Sequence, residues 1–221
     1  MRRELIRGFI FDFDGTIIVS EQVHMRAWSD LAHEVGLSLP DGFLEHSVGM
    51  SDYELIKILR AAWQNQLDEQ AILSRKRHFY MKRVSDECHP VPGVIDTILR
   101  LKDKQHPLAI ATSSSRVEVD PVLESLGIFG CFSAIVTVDD VSRPKPDPEI
   151  YHRAAQLLTL APAECLAFED SKAGVHSARS AGCLLVTIQT LYDEATLGKA
   201  LLSVRDFRDE RLLALLSSIG L

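Results

Sequence analysis

Two carboxylates that close an apolar run near the start of the chain are the first indication of chemistry. The run of residues 8–11 is followed by Asp12, Asp14 and Gly15. Side chains two residues apart in an extended chain point the same way, and both carboxylates can therefore reach one site. Such a pair repels unless it shares a proton or a cation lies between the two groups. A hard, oxygen-binding ion such as Mg²⁺ fits this pattern, whereas Asp-Gly alone is equally typical of a solvated turn.

Three further polar clusters follow predicted strands later in the chain. The hydroxyl cluster Thr112–Ser115, the proline-flanked Lys145 and the acidic pair Glu169-Asp170 each come directly or shortly after an apolar segment. Taken singly, these clusters are typical of a polar turn, a solvent-exposed lysine and a helix N-cap. Taken together, they place carboxylates, hydroxyls and a rigid lysine at the carboxyl ends of four strands, where ligands of open α/β sheets bind.

The elements that carry these clusters alternate between strand and helix. Apolar runs predict strands at residues 8–11, 107–112, 134–138, 165–168 and 184–188, with a weaker one at 201–204. Helical spacing predicts helices between them, including one that begins near Pro121, where proline suits a first turn. Alternating strands and helices indicate an α/β fold with a doubly wound parallel sheet and helices on both faces.

Residues 17–88 interrupt this alternation because their periodicity is almost wholly helical. Ser20 and Ser51 are plausible N-caps, residues 37–47 read as irregular, and a third helix is predicted from about residue 68 to 85. We therefore predict a core domain of residues 1–16 and 89–221, and an inserted helical domain of residues 17–88.

The composition is that of an ordinary globular protein, and it narrows the choice of partners. The chain has 221 residues, a formal net charge of −7 and no long basic tract, which argues against a general nucleic-acid surface. No apolar run reaches the ~18 residues of a membrane span, and the first residues leave no room for a signal peptide. The four cysteines form no Cys-x-x-Cys pair and suggest thiols in a reducing cytosol. We expect a cytoplasmic protein, and a monomer, although the oligomeric state is open.

The order and chemistry of the four clusters resemble the four signatures of the haloacid dehalogenase (HAD) superfamily. The matching segments are Asp12-Phe13-Asp14-Gly15-Thr16, Thr112-Ser113, Lys145 ahead of Pro146-Asp147-Pro148, and Glu169-Asp170. The resemblance spans residues 8–182 and implies a Rossmann-like core with a small helical cap.

The resemblance also implies a role for each matching residue. Asp12 would be the nucleophile that forms an aspartyl-phosphate, and Asp14 the general acid and base. Phosphate-binding groups would be Thr112, Ser113 and Lys145, and the ligands of Mg²⁺ would be Asp12, the backbone carbonyl of Asp14, Glu169 and Asp170. Superfamily members that displace halide lack a carboxylate at the position of Asp14, and its presence here favours phosphoryl transfer.

The helical insert resembles the cap of the branch that contains β-phosphoglucomutase and sugar-phosphate phosphatases. Four cap residues are candidates for substrate contact or for coupling cap closure to Asp14: His24, Gly49, Met50 and Lys76. The alternative for His24 is a polar residue on an amphipathic helix, and for the basic segment 75–77 a solvated helix face. The mutase has an arginine just after the loop at Gly49, whereas this chain has Asp52-Tyr53, and Val19 replaces a common aspartate at the hinge.

These observations predict a Mg²⁺-dependent phosphatase of a small phosphorylated metabolite, with a sugar phosphate as the favoured substrate. One alternative is a β-phosphoglucomutase-like mutase. A second alternative, from another functional class, is a receiver-type signalling domain that also combines Asp, hydroxyl, Lys and Mg²⁺; the helical insert and Asp14 argue against it.

Overall fold

The computed structural model describes residues 6–47 and 50–219. The chain divides into two compact units, a larger one of Met1–Val19 and Pro90–Leu221 and a smaller one of Ser20–His89. The strands are β1 Gly8–Phe11, β2 Ile18–Val19, β3 His89–Pro90, β4 Leu108–Ala111, β5 Ala134–Val136, β6 Cys165–Glu169, β7 Leu184–Ile188 and β8 Leu202–Val204. The helices are α1 Glu21–Glu34, α2 Phe43–Ser47, α3 Asp52–Ala62, α4 Glu69–Glu87, α5 Val94–Asp103, α6 Arg116–Ser125, α7 Glu149–Leu157, α8 Lys172–Ala181, α9 Glu194–Leu197 and α10 Glu210–Ser217.

The larger unit is built on a six-stranded sheet in the order β5-β4-β1-β6-β7-β8. All five pairs of neighbouring strands run parallel. The chain runs outward from β1 to β4 and β5, then returns to the other side of β1 and continues through β6, β7 and β8. This order confirms the predicted α/β class and puts β1 between β4 and β6, the position at which such sheets bind ligands.

Alternate residues of the central strands face opposite layers, as the two-residue period of a strand requires. Ile10 and Ala167 pack with helices α7 and α8 in one buried cluster. On the other face, Phe11 stacks on Phe168 with ring centroids 4.7 Å apart, and Phe207 packs against both rings. Both faces of the sheet are therefore covered, which explains why its strands read as continuous apolar runs.

The smaller unit is helical and has an apolar core of its own. Helices α1, α3 and α4 contribute Trp28, Leu59 and Ile72, each at most 1% exposed, to one buried cluster. Helix α3 begins at a capping box, in which the Ser51 hydroxyl accepts from the Glu54 N–H and the Glu54 side chain accepts from the Ser51 N–H. Such reciprocal capping satisfies two backbone donors at a helix start.

The structure corrects one predicted helix boundary and adds one helix that was not predicted. Helix α6 begins at Arg116, five residues before Pro121, which lies inside it, because Ser115 and Glu118 form a capping box at its start. The segment read as irregular between residues 37 and 47 contains the short helix α2. Among the described residues, no helix is both long enough and apolar enough to cross a lipid bilayer.

Candidate active site

The carboxyl ends of β1, β4 and β6 bring three of the predicted clusters to one edge of the sheet. Phe11 pairs with Ile110 of β4 and with Phe168 of β6, and the Asp12 N–H donates to the Phe168 carbonyl at 3.0 Å. Since the strands are parallel and in register, the residues that follow them emerge side by side. Asp12, Thr112 and Glu169 are all buried there.

Lys145 joins this edge from the loop that precedes α7. Its ammonium nitrogen donates to Asp12 Oδ1 at 2.7 Å and to Glu169 Oε1 at 2.5 Å. The lysine side chain is only 3% exposed, and its partners are 8% and 0% exposed. A lysine buried between two carboxylates is held by charge-assisted hydrogen bonds and is not the solvent-exposed lysine of the alternative interpretation.

The carboxylates of Asp12, Glu169 and Asp170 form a compact acidic cluster. One oxygen from each lies within 4.8 Å of the others, and all three residues are buried. Asp170 Oδ2 is buried and has no hydrogen-bond partner within the part of the chain that the structure describes. A buried, unsatisfied carboxylate oxygen is costly unless something binds it. An all-oxygen donor set with one uncommitted buried oxygen fits Mg²⁺.

The backbone leaves room for these carboxylates through glycine. Gly15 has a φ of +73°, and a Cβ atom on it would lie 1.8 Å from Asp170 Oδ2. The position therefore requires glycine twice over, for its left-handed backbone and for its missing side chain. This is the physical reason for glycine after the Asp12–Asp14 pair.

The crowding of negative charge changes the protonation of the cluster. The pKa of Asp12 is raised to about 8 by burial and by Glu169, and the favourable charge of Lys145 offsets only part of this rise. Burial, together with Asp12 and Glu169, likewise raises the pKa of Asp170 well above its usual range. Burial lowers the pKa of Lys145, but the two carboxylates outweigh burial and raise it, which keeps the lysine charged. With all of its carboxylates ionised, the site would carry more negative charge than its single lysine balances, and a divalent cation would relieve this repulsion.

Asp14 contacts the hydroxyl cluster that follows β4. The Ser114 hydroxyl donates to Asp14 Oδ2, although the two residues are 100 positions apart in the sequence. The Ser114 N–H donates to the Thr112 hydroxyl at 3.0 Å, which orients that buried side chain. Ser113 lies between them and is half-buried. Ser114, which follows the candidate phosphate-binding residues Thr112 and Ser113, therefore links this cluster to the Asp14 carboxylate.

Sequence reasoning missed two side chains that contact the predicted site residues. Ser114 was part of the hydroxyl cluster but was not singled out, and Tyr151 was not considered at all. The Tyr151 hydroxyl donates to Glu169 Oε1 at 2.7 Å, and its ring lies 5.3 Å from the Lys145 ammonium. A tyrosine six residues after a proline-flanked lysine resembles any core residue of a helix, and no sequence signal distinguishes it.

The cap candidates occupy the smaller unit, where two of them contact each other. The Lys76 ammonium lies 2.8 Å from His24 Nδ1 and donates to Asp52 Oδ2 at 2.7 Å. Lys76 is fully buried, and its charge lies over the ring of Tyr80 at 5.1 Å. Met50 is half-buried against the apolar core of this unit. The predicted loop residue Gly49 lies outside the described residues.

Comparison with known proteins identifies the family of the chain. Residues 6–182 match the family described as haloacid dehalogenase-like hydrolases. A phosphorylated carbohydrates phosphatase of Thermotoga maritima is 32% identical over 220 residues, which cover 97% of this chain and 100% of that protein. A β-phosphoglucomutase of Bacillus subtilis is 28% identical over 83% of both chains.

Among solved structures, the phosphate complex of CbbY from Rhodobacter sphaeroides superposes with a TM-score of 0.85 at 25% identity, covering 96% of this chain and 99% of that one. The family match covers most of the chain and all four sequence signatures. The protein is therefore a member of the haloacid dehalogenase-like hydrolases.

Proposed function

We propose that the protein is a Mg²⁺-dependent phosphatase that hydrolyses a small phosphorylated metabolite, with a sugar phosphate as substrate, through an aspartyl-phosphate. The observation that carries the proposal is the buried contact of Lys145 with both Asp12 and Glu169, beside an Asp170 oxygen without a partner in the described chain. A carboxylate nucleophile can approach an anionic phosphoryl group only where cations screen the repulsion.

In the first half-reaction, an Asp12 carboxylate oxygen attacks phosphorus and the bond from phosphorus to the substrate's ester oxygen breaks. Asp14 donates its proton to the departing oxygen, which leaves as an alcohol. Lys145 orients Asp12 and balances charge on the transferring group, while Thr112 and the Ser113 backbone hold the phosphoryl oxygens. Phosphoryl transfer depends chiefly on such positioning and charge neutralisation.

In the second half-reaction, Asp14 accepts a proton from water as that water attacks phosphorus. The bond between Asp12 and phosphorus breaks, phosphate is released, and Asp12 is regenerated as a carboxylate. The Ser114 hydroxyl, which donates to Asp14, holds its carboxylate in place for both proton transfers.

The metal site of this proposal uses the acidic cluster. Asp12, Asp170, the backbone carbonyl of Asp14, and Glu169 would hold Mg²⁺. When bound, the ion supplies positive charge that stabilises the transferring phosphoryl group and the ionised form of Asp12. Only oxygen donors are proposed, as Mg²⁺ prefers.

The carbohydrate character of the substrate rests on the relatives. The Thermotoga maritima relative, which aligns over its whole length, is a phosphatase of phosphorylated carbohydrates. We extend that substrate class to this chain, and we assign the helical unit as a cap that excludes water from the site. Within it, His24, Gly49, Met50 and Lys76 are the candidates for contact with the substrate or for coupling closure to Asp14.

The mutase alternative has one specific observation against it. A mutase must hold two phosphate groups, and β-phosphoglucomutase has an arginine just after the cap loop, where this chain has Asp52-Tyr53. The Asp52 carboxylate takes up the charge of the buried Lys76 instead. Because the charge of Lys76 is neutralised by Asp52, it is not available to bind a second phosphate, which favours a substrate with a single phosphate.

The test is a screen of phosphorylated metabolites with the purified enzyme, with Mg²⁺ and with EDTA. We expect phosphate release from one or more sugar phosphates, dependent on Mg²⁺, and no glucose 6-phosphate from β-glucose 1-phosphate. Isomer formation without phosphate release would identify a mutase. A stable phosphorylated protein that turns over no substrate would identify the receiver-type alternative.

A further inference from the structure

Tyr151 is a fully buried polar side chain that the proposed mechanism does not use. It is the third residue of helix α7 and packs in the cluster between that helix and the sheet. Its hydroxyl leaves this apolar environment to donate to Glu169 Oε1 at 2.7 Å, and its ring face lies 5.3 Å from the Lys145 ammonium. A core position that only needed volume would be filled equally well by phenylalanine.

The carboxylate of Glu169 receives donors on both of its oxygens. Oε1 accepts from Lys145 at 2.5 Å and from Tyr151 at 2.7 Å. Oε2 accepts from the Ser171 hydroxyl at 3.2 Å, from the Asp170 N–H at 3.2 Å and from the Ser171 N–H at 3.4 Å. Five donors around one fully buried carboxylate hold it in a single orientation.

We propose that Tyr151 is a positioning residue of the active site, whose hydroxyl orients Glu169 and, through the shared oxygen Oε1, fixes the ammonium of Lys145. The proposal rests on the function proposed above, since it concerns the geometry of the same site. Tyr151 is suited to this task because a neutral hydroxyl restrains the carboxylate without changing the net charge beside Asp12. The ring adds a second restraint by placing its electron-rich face toward the lysine.

Loss of the Tyr151 hydroxyl should therefore affect the affinity for the metal and the rate of the chemical step. A residue that orients a metal-site carboxylate from behind typically contributes about 10- to 100-fold to metal affinity. Because Glu169 keeps its four other donors, we expect the lower end of this range. Substrate should bind almost normally, since Tyr151 is buried behind the carboxylate.

The experiment compares the wild type with Tyr151→Phe, which keeps the ring and removes only the hydroxyl. The control is Tyr192→Phe, because the Tyr192 ring also faces a lysine, Lys172 at 5.0 Å, outside the acidic cluster. Calorimetry without substrate measures the Mg²⁺ dissociation constants, and steady-state kinetics at saturating Mg²⁺ measures kcat and KM. A crystal structure of the Tyr151→Phe protein shows the orientation of Glu169.

We expect Tyr151→Phe to weaken Mg²⁺ binding about 10-fold, to lower kcat several-fold with little change in KM, and to show Glu169 turned or spread over two orientations. Tyr192→Phe should match the wild type in all three measurements. A Tyr151→Phe protein with wild-type Mg²⁺ affinity and an unmoved Glu169 would overturn the proposal, as would an equal loss of affinity in the control.

The failure of this proposal is distinct from failure of the proposed function. If the wild type releases no phosphate from any substrate but Tyr151→Phe still weakens Mg²⁺ binding, the phosphatase assignment fails and the positioning role stands. If the wild type binds no Mg²⁺, the metal site is refuted, and the orientation of Glu169 in the variant crystal decides the role of Tyr151.

Discussion

Gly174 lies directly against the carboxylate of Glu169, and a Cβ atom on Gly174 would come within 1.9 Å of Glu169 Oε1. The glycine is inside helix α8, where alanine is intrinsically favoured by about 1 kcal/mol. Its presence there is therefore explained by the carboxylate and not by the helix.

The first prediction concerns this contact. Gly174→Ala should lower kcat at least about 10-fold and weaken Mg²⁺ binding to a similar extent, because the new methyl group would displace a carboxylate of the proposed metal site. Crowding should also destabilise the fold by about 1–3 kcal/mol despite the better helix propensity. The measurements are steady-state kinetics, calorimetry and chemical unfolding. Gly130→Ala is the control, since its Cβ would meet no heavy atom of the described chain within 4 Å. A fully active and more stable Gly174→Ala would refute the assigned role of Glu169.

The second prediction concerns the nucleophile. Asp12→Asn should reduce turnover by more than about 10⁴-fold, since the remaining groups bind substrate but cannot form the covalent intermediate. The fold should persist, because Lys145 keeps Glu169 as a partner and a crowded negative charge is removed. Phosphate release, circular dichroism and intact-mass detection of the phosphorylated protein provide the test. The exposed Asp103→Asn at the end of α5 should behave as the wild type, and normal activity in Asp12→Asn would contradict the mechanism.

The third prediction separates the structural and catalytic roles of Lys145. Lys145→Met retains most of the volume but leaves Asp12 and Glu169 without their shared cation, which should destabilise the metal-free protein by about 3–5 kcal/mol. Mg²⁺ should restore part of this stability, whereas kcat should stay about 10²- to 10³-fold low because a charge that stabilises the transition state is missing. Thermal unfolding with Mg²⁺ and with EDTA measures the first effect. Lys172→Met, at an exposed lysine, is the control, and a metal-free Lys145→Met as stable as the wild type would count against the ion pair.

The fourth prediction is a pH dependence of stability in the absence of metal. The pKa of Asp12 is raised from 3.8 to about 8 in the folded protein, chiefly by burial. Between these values the folded state holds a proton that the unfolded chain releases, and raising the pH therefore lowers the free energy of unfolding until about pH 8. Burial, Asp12 and Glu169 raise the pKa of Asp170 as well, which adds an effect of the same sign.

Mg²⁺ must displace that proton, and its stabilising effect should grow as the pH rises from about 6 to 8. Melting temperatures with EDTA and with Mg²⁺ across this range provide the measurement. In the Asp12→Asn protein, the Mg²⁺-induced shift in melting temperature should depend less on pH. An Mg²⁺-induced shift in melting temperature that is the same at every pH would contradict this reading of the cluster.

The fifth prediction concerns the helical unit. Asp52→Asn replaces the carboxylate partner of a fully buried lysine with a neutral amide, which should cost about 1–3 kcal/mol of stability because the buried ammonium loses its counter-charge and keeps only a neutral acceptor. Chemical unfolding is the measurement, and Asp86→Asn, at an exposed aspartate of α4, is the control. An unchanged free energy of unfolding would mean that Lys76 does not depend on Asp52.

Much of the fold was predictable because it follows from local patterns. The central strands are buried on both faces and read as apolar runs, and predicted strands such as 165–168 and 184–188 are confirmed within one residue by β6 and β7. The misplaced start of α6 shows the limit of such patterns. Pro121 favours a helix start, but the capping box at Ser115 determines where the helix begins.

For the candidate site, too, local sequence patterns predict which residues take part but not which of them contact each other. The residue types and their places after strands are enough to indicate the candidate site residues, which are Asp12, Asp14, Thr112, Lys145, Glu169 and Asp170. The contacts of Ser114 with Asp14 and of Lys76 with Asp52 were not predictable, since they join residues 100 and 24 positions apart whose pairing depends on the packing of separate elements.

The amino-acid sequence by itself determined the class of the fold, the four polar clusters at its strand ends and the family, because strand periodicity and short motifs are local properties of the chain. Only the tertiary structure decided that Lys145 is shared between two buried carboxylates, that Tyr151 completes this contact and that Asp52 takes up the charge of Lys76. Hydrogen bonds form over about 3 Å, and which side chains come that close is determined by how the helices pack on the sheet and on one another.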